Sequence, residues 1–151
     1  HVAGKEELLR LAVTRALDGL FAVLDEPGAT EGRAVDRFAY VIRRTCLELV
    51  RNLPYVTLLL RVRGNTEVER AALARRRAFD ALVAQLVADA ERDGDIRADI
   101  DQKLTARLLF GMVNSIVEWY RPAASEPPAT DRNPLADAVC AIAFDGLRVR
   151  R

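Results

Sequence analysis

The sequence predicts an all-α fold, a single-domain helical bundle. Three observations predict it. Apolar residues recur at three- and four-residue spacing along most of the chain. Ala, Leu and Arg, which favour helix, are abundant while aromatics make up 6% of residues. The breaks between periodic stretches fall at proline, glycine and capping residues. With 151 residues, 50% hydrophobic and 30% charged, the chain is long enough for one domain with its own core, and it carries no internal repeat.

Six helical segments account for the pattern. The first, Lys5 to Asp25, places Leu9, Val13, Ala16, Leu17, Leu20 and Leu24 on one face, and Pro27-Gly28 is expected to end it. The second, Glu31 to Asn52, has Thr30 as expected N-cap and a stripe of Val35, Phe38, Val41, Ile42, Thr45, Cys46, Leu49 and Val50; Arg37, Arg44, Glu48 and Arg51 are expected to face outward. Pro54 to Arg63 is apolar nearly all round. Periodicity alone also admits a buried strand, but Pro54 in a first turn favours a short buried helix.

The fourth segment, Thr66 to Asp93, opens on the capping box Thr66-Glu67-Val68-Glu69 and stops at Gly94. The fifth, Gln102 to Arg121, follows Asp101 as N-cap and leaves only a narrow polar strip, Arg107, Asn114 and Glu118. A helix so apolar is expected to face its own core and something besides. Pro122 is expected to stop it, with a mobile loop over 123–130. Asn133-Pro134 then caps a last helix reaching Val149, slimmed by Ala136, Ala138 and Ala141.

Several function classes are poorly supported. With 23 basic and 22 acidic residues, the overall charge does not draw the chain to nucleic acid. No apolar run approaches the ~18 residues of a membrane span, and no signal peptide opens the chain. Cys46 and Cys140 sit in apolar helical patterns as free thiols, which fits a reducing, cytoplasmic setting. The single histidine is His1; no metal-ligand cluster, Gly-rich phosphate loop or serine triad is present, so no catalytic residue, metal or cofactor is expected.

Three stretches resemble the TetR family of transcriptional regulators. His1-Val2-Ala3-Gly4-Lys5-Glu6-Glu7-Leu8-Leu9 is similar to the junction between that family's helix-turn-helix head and its ligand domain. Gly94 to Asp101 resembles the loop before its penultimate helix, and Trp119-Tyr120-Arg121-Pro122 is similar to a subgroup with regulators of fatty-acid and steroid catabolism. The resemblance implies that residues 1–151 form an effector-binding and dimerisation domain, with 1–5 left from the junction to a missing head. It also implies a homodimer built on the two C-terminal helices as a four-helix bundle, with Leu109, Val113, Ile116, Leu135, Val139, Ile142 and Gly146 in the interface. Operator DNA is expected to bind through the missing head, and the effector to be small and hydrophobic, of acyl or acyl-coenzyme A type. The alternatives are a helical carrier for a lipid-like ligand and a dimerisation module without effector.

Pockets in helical domains lie between helices, lined by apolar side chains and a few polar groups. The middle helices offer Phe38, Ile42, Thr45, Leu49, Tyr55, Leu59, Phe79, Leu82, Leu86, Leu108, Met112, Ser115 and Trp119 as effector-binding residues. Each aliphatic one reads more readily as ordinary core, and Thr45 and Ser115 can bond their own helical turn. Arg75, on the line of Ala72, Phe79 and Leu86, is the candidate anion partner, with the alternative that its stem covers apolar surface while its head reaches water; Arg76 and Arg77 read as solvated.

Overall fold

The computed structural model describes residues 2–121 and 133–149. Its helices, in chain order, are α1 (Val2–Leu24), α2 (Pro27–Thr30), α3 (Ala34–Arg51), α4 (Leu53–Arg61), α5 (Glu67–Arg92), α6 (Gln102–Asn114), α7 (Ile116–Trp119) and α8 (Pro134–Leu147). There is no strand among the described residues. An isolated bridge joins Ile96 to Arg148, with the Arg97 N–H donating to Leu147 O at 2.8 Å and the Val149 N–H to Asp95 O at 3.0 Å. The expected stop at Pro122 and the loop over 123–130 lie outside the described residues.

Helix α3 is the axis of the bundle. It touches α1, α2, α4, α5 and α8, so its stripe of apolar residues has a partner on nearly every side. Phe38, Val41 and Ile42 have no solvent exposure, and Phe38 meets Phe144 of α8 edge to face at 5.2 Å between ring centres. Full burial of such side chains stabilises by about 1.5–3 kcal/mol each. Cys46, in the same stripe, is a free thiol that burial pushes up to about 12, which leaves it a small hydrophobe.

Local chemistry sets several helix ends. Thr66 Oγ1 accepts the Glu69 N–H at 3.2 Å, and the Glu69 carboxylate reaches back to the Arg63 N–H at 2.9 Å. Asp101 caps α6 through the Leu104 N–H at 3.1 Å, and Asn133 caps α8 through Leu135 and Ala136. Gly94 takes φ +78°, the left-handed stop that its position calls for.

Three expectations are corrected. Pro27 does not simply end a helix; it opens the single turn α2, and Thr30 closes that turn instead of capping α3, which starts at Ala34. Gly28 is needed there because a Cβ would lie 2.5 Å from the Tyr40 ring. The long fifth segment is divided at Ser115, whose Oγ donates to Met112 O at 2.6 Å and competes with the helical ladder. Glu48 faces inward, not outward. It is buried between Arg44, at 3.1 Å, and Asn52, at 3.0 Å, and Arg44 also holds Glu26 of the α1–α2 turn at 2.9 Å. The buried carboxylate is tolerable because it is paired and hydrogen-bonded.

Because Phe38 is closed on all sides, Phe38→Ala is expected to cost about 3–5 kcal/mol of stability in urea unfolding. A cost below about 1 kcal/mol would show that α3 is not the centre of the core.

Candidate functional site

An apolar cavity of about 40 Å³ lies where α1, α3, α4, α5 and α6 converge. Leu17 and Leu20 come from α1, Thr45 and Leu49 from α3, Val56, Leu59 and Leu60 from α4, Phe79 from α5 and Phe110 from α6. Phe79 is the hinge of the wall. It packs edge-on against Phe21 at 5.7 Å and tilts against Phe110 at 6.0 Å. Three polar side chains, Arg76, Asp80 and Asn114, line the same space. Together they make a polar neck at its edge, and a larger groove of about 690 Å³ between α5 and α6 shares Asp80, Phe110 and Asn114 as lining.

Crowding in the neck disfavours charge. Desolvation pushes the Arg76 guanidinium down from its ordinary value and the Asp80 carboxyl up. Each charge partly offsets the other's shift, as expected for residues four apart on one helix. Asp80 is exposed as a residue because it also faces the open groove, yet its carboxyl still feels the crowded neck. The arrangement can hold a small apolar group and present one cation, one carboxyl and one amide to whatever is attached to it. Among the described residues no group of acids, cysteines or histidines is placed to hold a metal.

Similarity to known proteins agrees with this architecture. The family model for the tetracyclin repressor-like C-terminal domain matches residues 31–147. A solved member of the TetR transcriptional regulator family from Streptomyces coelicolor A3 is 56% identical, with a TM-score of 0.89, over 100% of this chain and 74% of that one. The chain belongs to the TetR family of transcriptional regulators. The ketosteroid transcriptional regulator KstR2 of Mycobacterium tuberculosis shares the fold at 18% identity and TM-score 0.81, over 97% of this chain and 74% of that one. AibR, solved with isovaleryl coenzyme A and operator DNA, does so at 22% identity and TM-score 0.76, over 97% and 78%. No curated protein sequence matches significantly.

In this TetR-family chain, Thr45, Leu49, Leu59 and Phe79 of the expected effector-binding set do line the cavity. Thr45 spends its hydroxyl on its own helix, donating to Val41 O at 2.7 Å. The others go elsewhere. Phe38, Ile42 and Leu86 are core, Met112 is packed against the core, and Tyr55 lies under the Arg15 guanidinium at 4.6 Å. Arg75 pairs with Asp18 at 3.0 Å and covers Phe21 at 5.1 Å, so the cation at the cavity is Arg76. Leu82, Leu108, Ser115 and Trp119 are exposed and lie off the cavity.

The expected interface set is redistributed in the same way. Leu109, Val113, Ile116 and Val139 point into their own protomer, with Val113 at 0% exposure and Ile116 at 1%. Leu135 is partly buried against the same core, whereas Gly146 is exposed. Large apolar side chains left exposed include Leu104 and Leu108 on α6, Trp119 on α7 and Ile142 on α8, the last 69% exposed. Leu17, Leu20, Val56, Leu60, Arg76, Asp80, Phe110 and Asn114 line the cavity without having been expected there. For Arg76 and Asp80 a signal existed: they stand four apart and flank Phe79 on the inner side of α5.

The raised Asp80 carboxyl gives a sign-definite test. Its folded-state value lies above its ordinary one, so its contribution to folding is complete at low pH and lost as pH rises through the folded value. Relative to the parent, Asp80→Asn is therefore expected to melt at a higher temperature at about pH 7 than at about pH 3.5. An identical difference at both pH values would show a fully solvated carboxyl.

Proposed function

We propose that this chain is the effector-binding and dimerising part of a ligand-controlled transcriptional repressor, acting on operator DNA through a helix-turn-helix head in a longer parent protein. The observation that carries this reading is the apolar cavity, walled by five helices and edged by a polar neck. Because α1 contributes Leu17 and Leu20 to the wall, a group filling the cavity bears directly on α1. A parent whose head precedes α1 would feel that shift. The effector changes operator affinity only by the difference in its affinity for the two arrangements, commonly 1–3 kcal/mol, an order-of-magnitude figure.

The solved complex of AibR with isovaleryl coenzyme A supports a small acyl or acyl-coenzyme A effector here as well. The test is a melting-temperature screen of this chain with acyl thioesters, followed by operator binding by the full-length parent with each compound that raises the melting point. Stabilisation together with operator release is expected. Stabilisation by none of them, or operator binding indifferent to those that stabilise, would overturn the reading.

We assign dimerisation to the exposed apolar residues Leu104, Leu108, Trp119 and Ile142, which this reading gathers around a two-fold axis. Ile142→Arg is expected to leave the helical content intact and give monomers in sedimentation, because an unpaired charge would be buried between copies. Val113→Arg is expected to unfold the protomer instead, since Val113 is closed within it. An unchanged dimer mass for a well-folded Ile142→Arg would rule out this face.

A further inference from the structure

We infer that the cavity also takes a short-chain carboxylic acid in its free form, held between Arg76 and Asp80, with one proton taken up from solvent on binding. This rests on the effector reading above. It adds the free acid as a ligand class and makes its binding depend on pH.

The first support is a set of polar groups with nothing to bind. Among the described residues, the side chains of Arg76, Asp80 and Asn114 form no hydrogen bond and no ion pair. Thr45, the other polar side chain on the cavity, spends its hydroxyl on Val41 O. Arg76 and Asp80 stand four apart on α5, a spacing at which opposite charges commonly meet. Arg44 and Glu48, in the same order and at the same spacing on α3, close to 3.1 Å. Asp80 is a methylene shorter than a glutamate, and its pair with Arg76 stays open at the edge of the cavity. Crowding disfavours both charges there, so a group that bonds to both relieves both.

The second support is charge balance. A ligand carboxylate can accept a pair of hydrogen bonds from the Arg76 guanidinium. One cation then faces two carboxyls, and in a crowded site only one of those can stay ionised. The other holds the proton and donates it in a hydrogen bond between ligand and Asp80. The charge that acts on the Asp80 carboxyl is that of Arg76. Arg77 on α5, Lys103 and Arg107 on α6 and Arg63 between α4 and α5 are all exposed, and solvent screens them. Helices α1, α3 and α4 present only uncharged side chains to the cavity. A thioester offers its carbonyl to Arg76 but brings no proton, so its binding has no such dependence on pH.

The third support is size. A water needs about 10–15 Å³ on the scale that gives the cavity about 40 Å³, so a tail of roughly three or four heavy atoms fits. Butyric acid has a tail of that length, and its carboxyl then falls at the polar edge.

The experiment is NMR titration of the chain and its Asp80→Asn and Arg76→Gln variants with butyrate, butyramide and S-ethyl thiobutyrate at about pH 6, 7 and 8. Circular dichroism first compares the helical content of the variants with that of the parent. For the parent, the Kd of butyrate is expected to rise about tenfold per pH unit, the slope of one proton taken up. Butyramide, which carries its donor at every pH, and the thioester are expected to change by less than about twofold over the same range. Asp80→Asn replaces the shared proton with an amide donor and is expected to abolish the slope for butyrate. Arg76→Gln is expected to weaken butyrate by roughly tenfold or more. The parent's own pH profile decides the matter even where a variant does not fold. Butyrate binding that is indifferent to pH, or that keeps its slope in a folded Asp80→Asn, overturns the inference and leaves the cavity reading intact. So does binding of the thioester or the amide without butyrate. Binding by none of the three overturns the inference; the cavity reading then stands or falls on the thioester screen and the operator experiment.

Discussion

Helix α6 must satisfy three environments at once, and the rest of the molecule depends on how it does so. One side, Thr105, Ala106, Leu109 and Val113, is buried in the protomer. A second, Lys103, Arg107, Phe110 and Asn114, walls a charged groove. A third, with Leu104 and Leu108, leaves apolar surface in water. A lone amphipathic helix needs only one apolar stripe; α6 carries two, separated by a charged one. That surplus ties together core, site and assembly on thirteen residues.

The same economy explains why the cavity is small and the groove large. Phe79 and Phe110 stack into the inner wall and leave little free space behind them. The neck residues Arg76 and Asp80 are pushed toward neutrality by crowding but keep enough access to serve as hydrogen-bonding groups. A ligand that fills the cavity must therefore displace or engage them, and in doing so contacts α1, α3, α4 and α5 as well as α6. In the proposed reading, coupling from ligand to assembly needs no long pathway, because α6 contributes both to the wall of the site and, through Leu104 and Leu108, to the proposed dimer face.

Much of the fold was legible in the sequence, and the failures have physical causes. The caps at Thr66, Asp101 and Asn133 and the stop at Gly94 were readable because each depends on chemistry within a few residues. Thr30 was misread as a cap since a hydroxyl that bonds a preceding carbonyl leaves no mark in periodicity; for Ser115 that bond was foreseen, but not the helix break beside it. Glu48 looked exposed because part of what buries it, Glu26 through Arg44 and the close approach of Gly19, comes from other elements. The site was legible in its α3 and α5 apolar residues and illegible in its polar ones. Periodicity locates the middle of a stripe, whereas Arg75 and Arg76 differ by one step of about 100° at its edge. Over α6 and α7 an all-round apolar pattern announced two faces but not which was inward, so Leu108 and Trp119 exchanged places with Val113 and Ile116.

Trp119, the single tryptophan, belongs to the proposed dimer face and is 57% exposed in the protomer, so it reports directly on whether a second copy covers that face. Iodide quenching of its fluorescence, followed across a dilution series in parallel with sedimentation, is the most direct measurement. A shielded tryptophan at concentrations where the dimer dominates, becoming accessible as the dimer dissociates, is the expected result. Free access to iodide in a species of dimeric mass would contradict the assignment of this face and with it the link between site and assembly through α6.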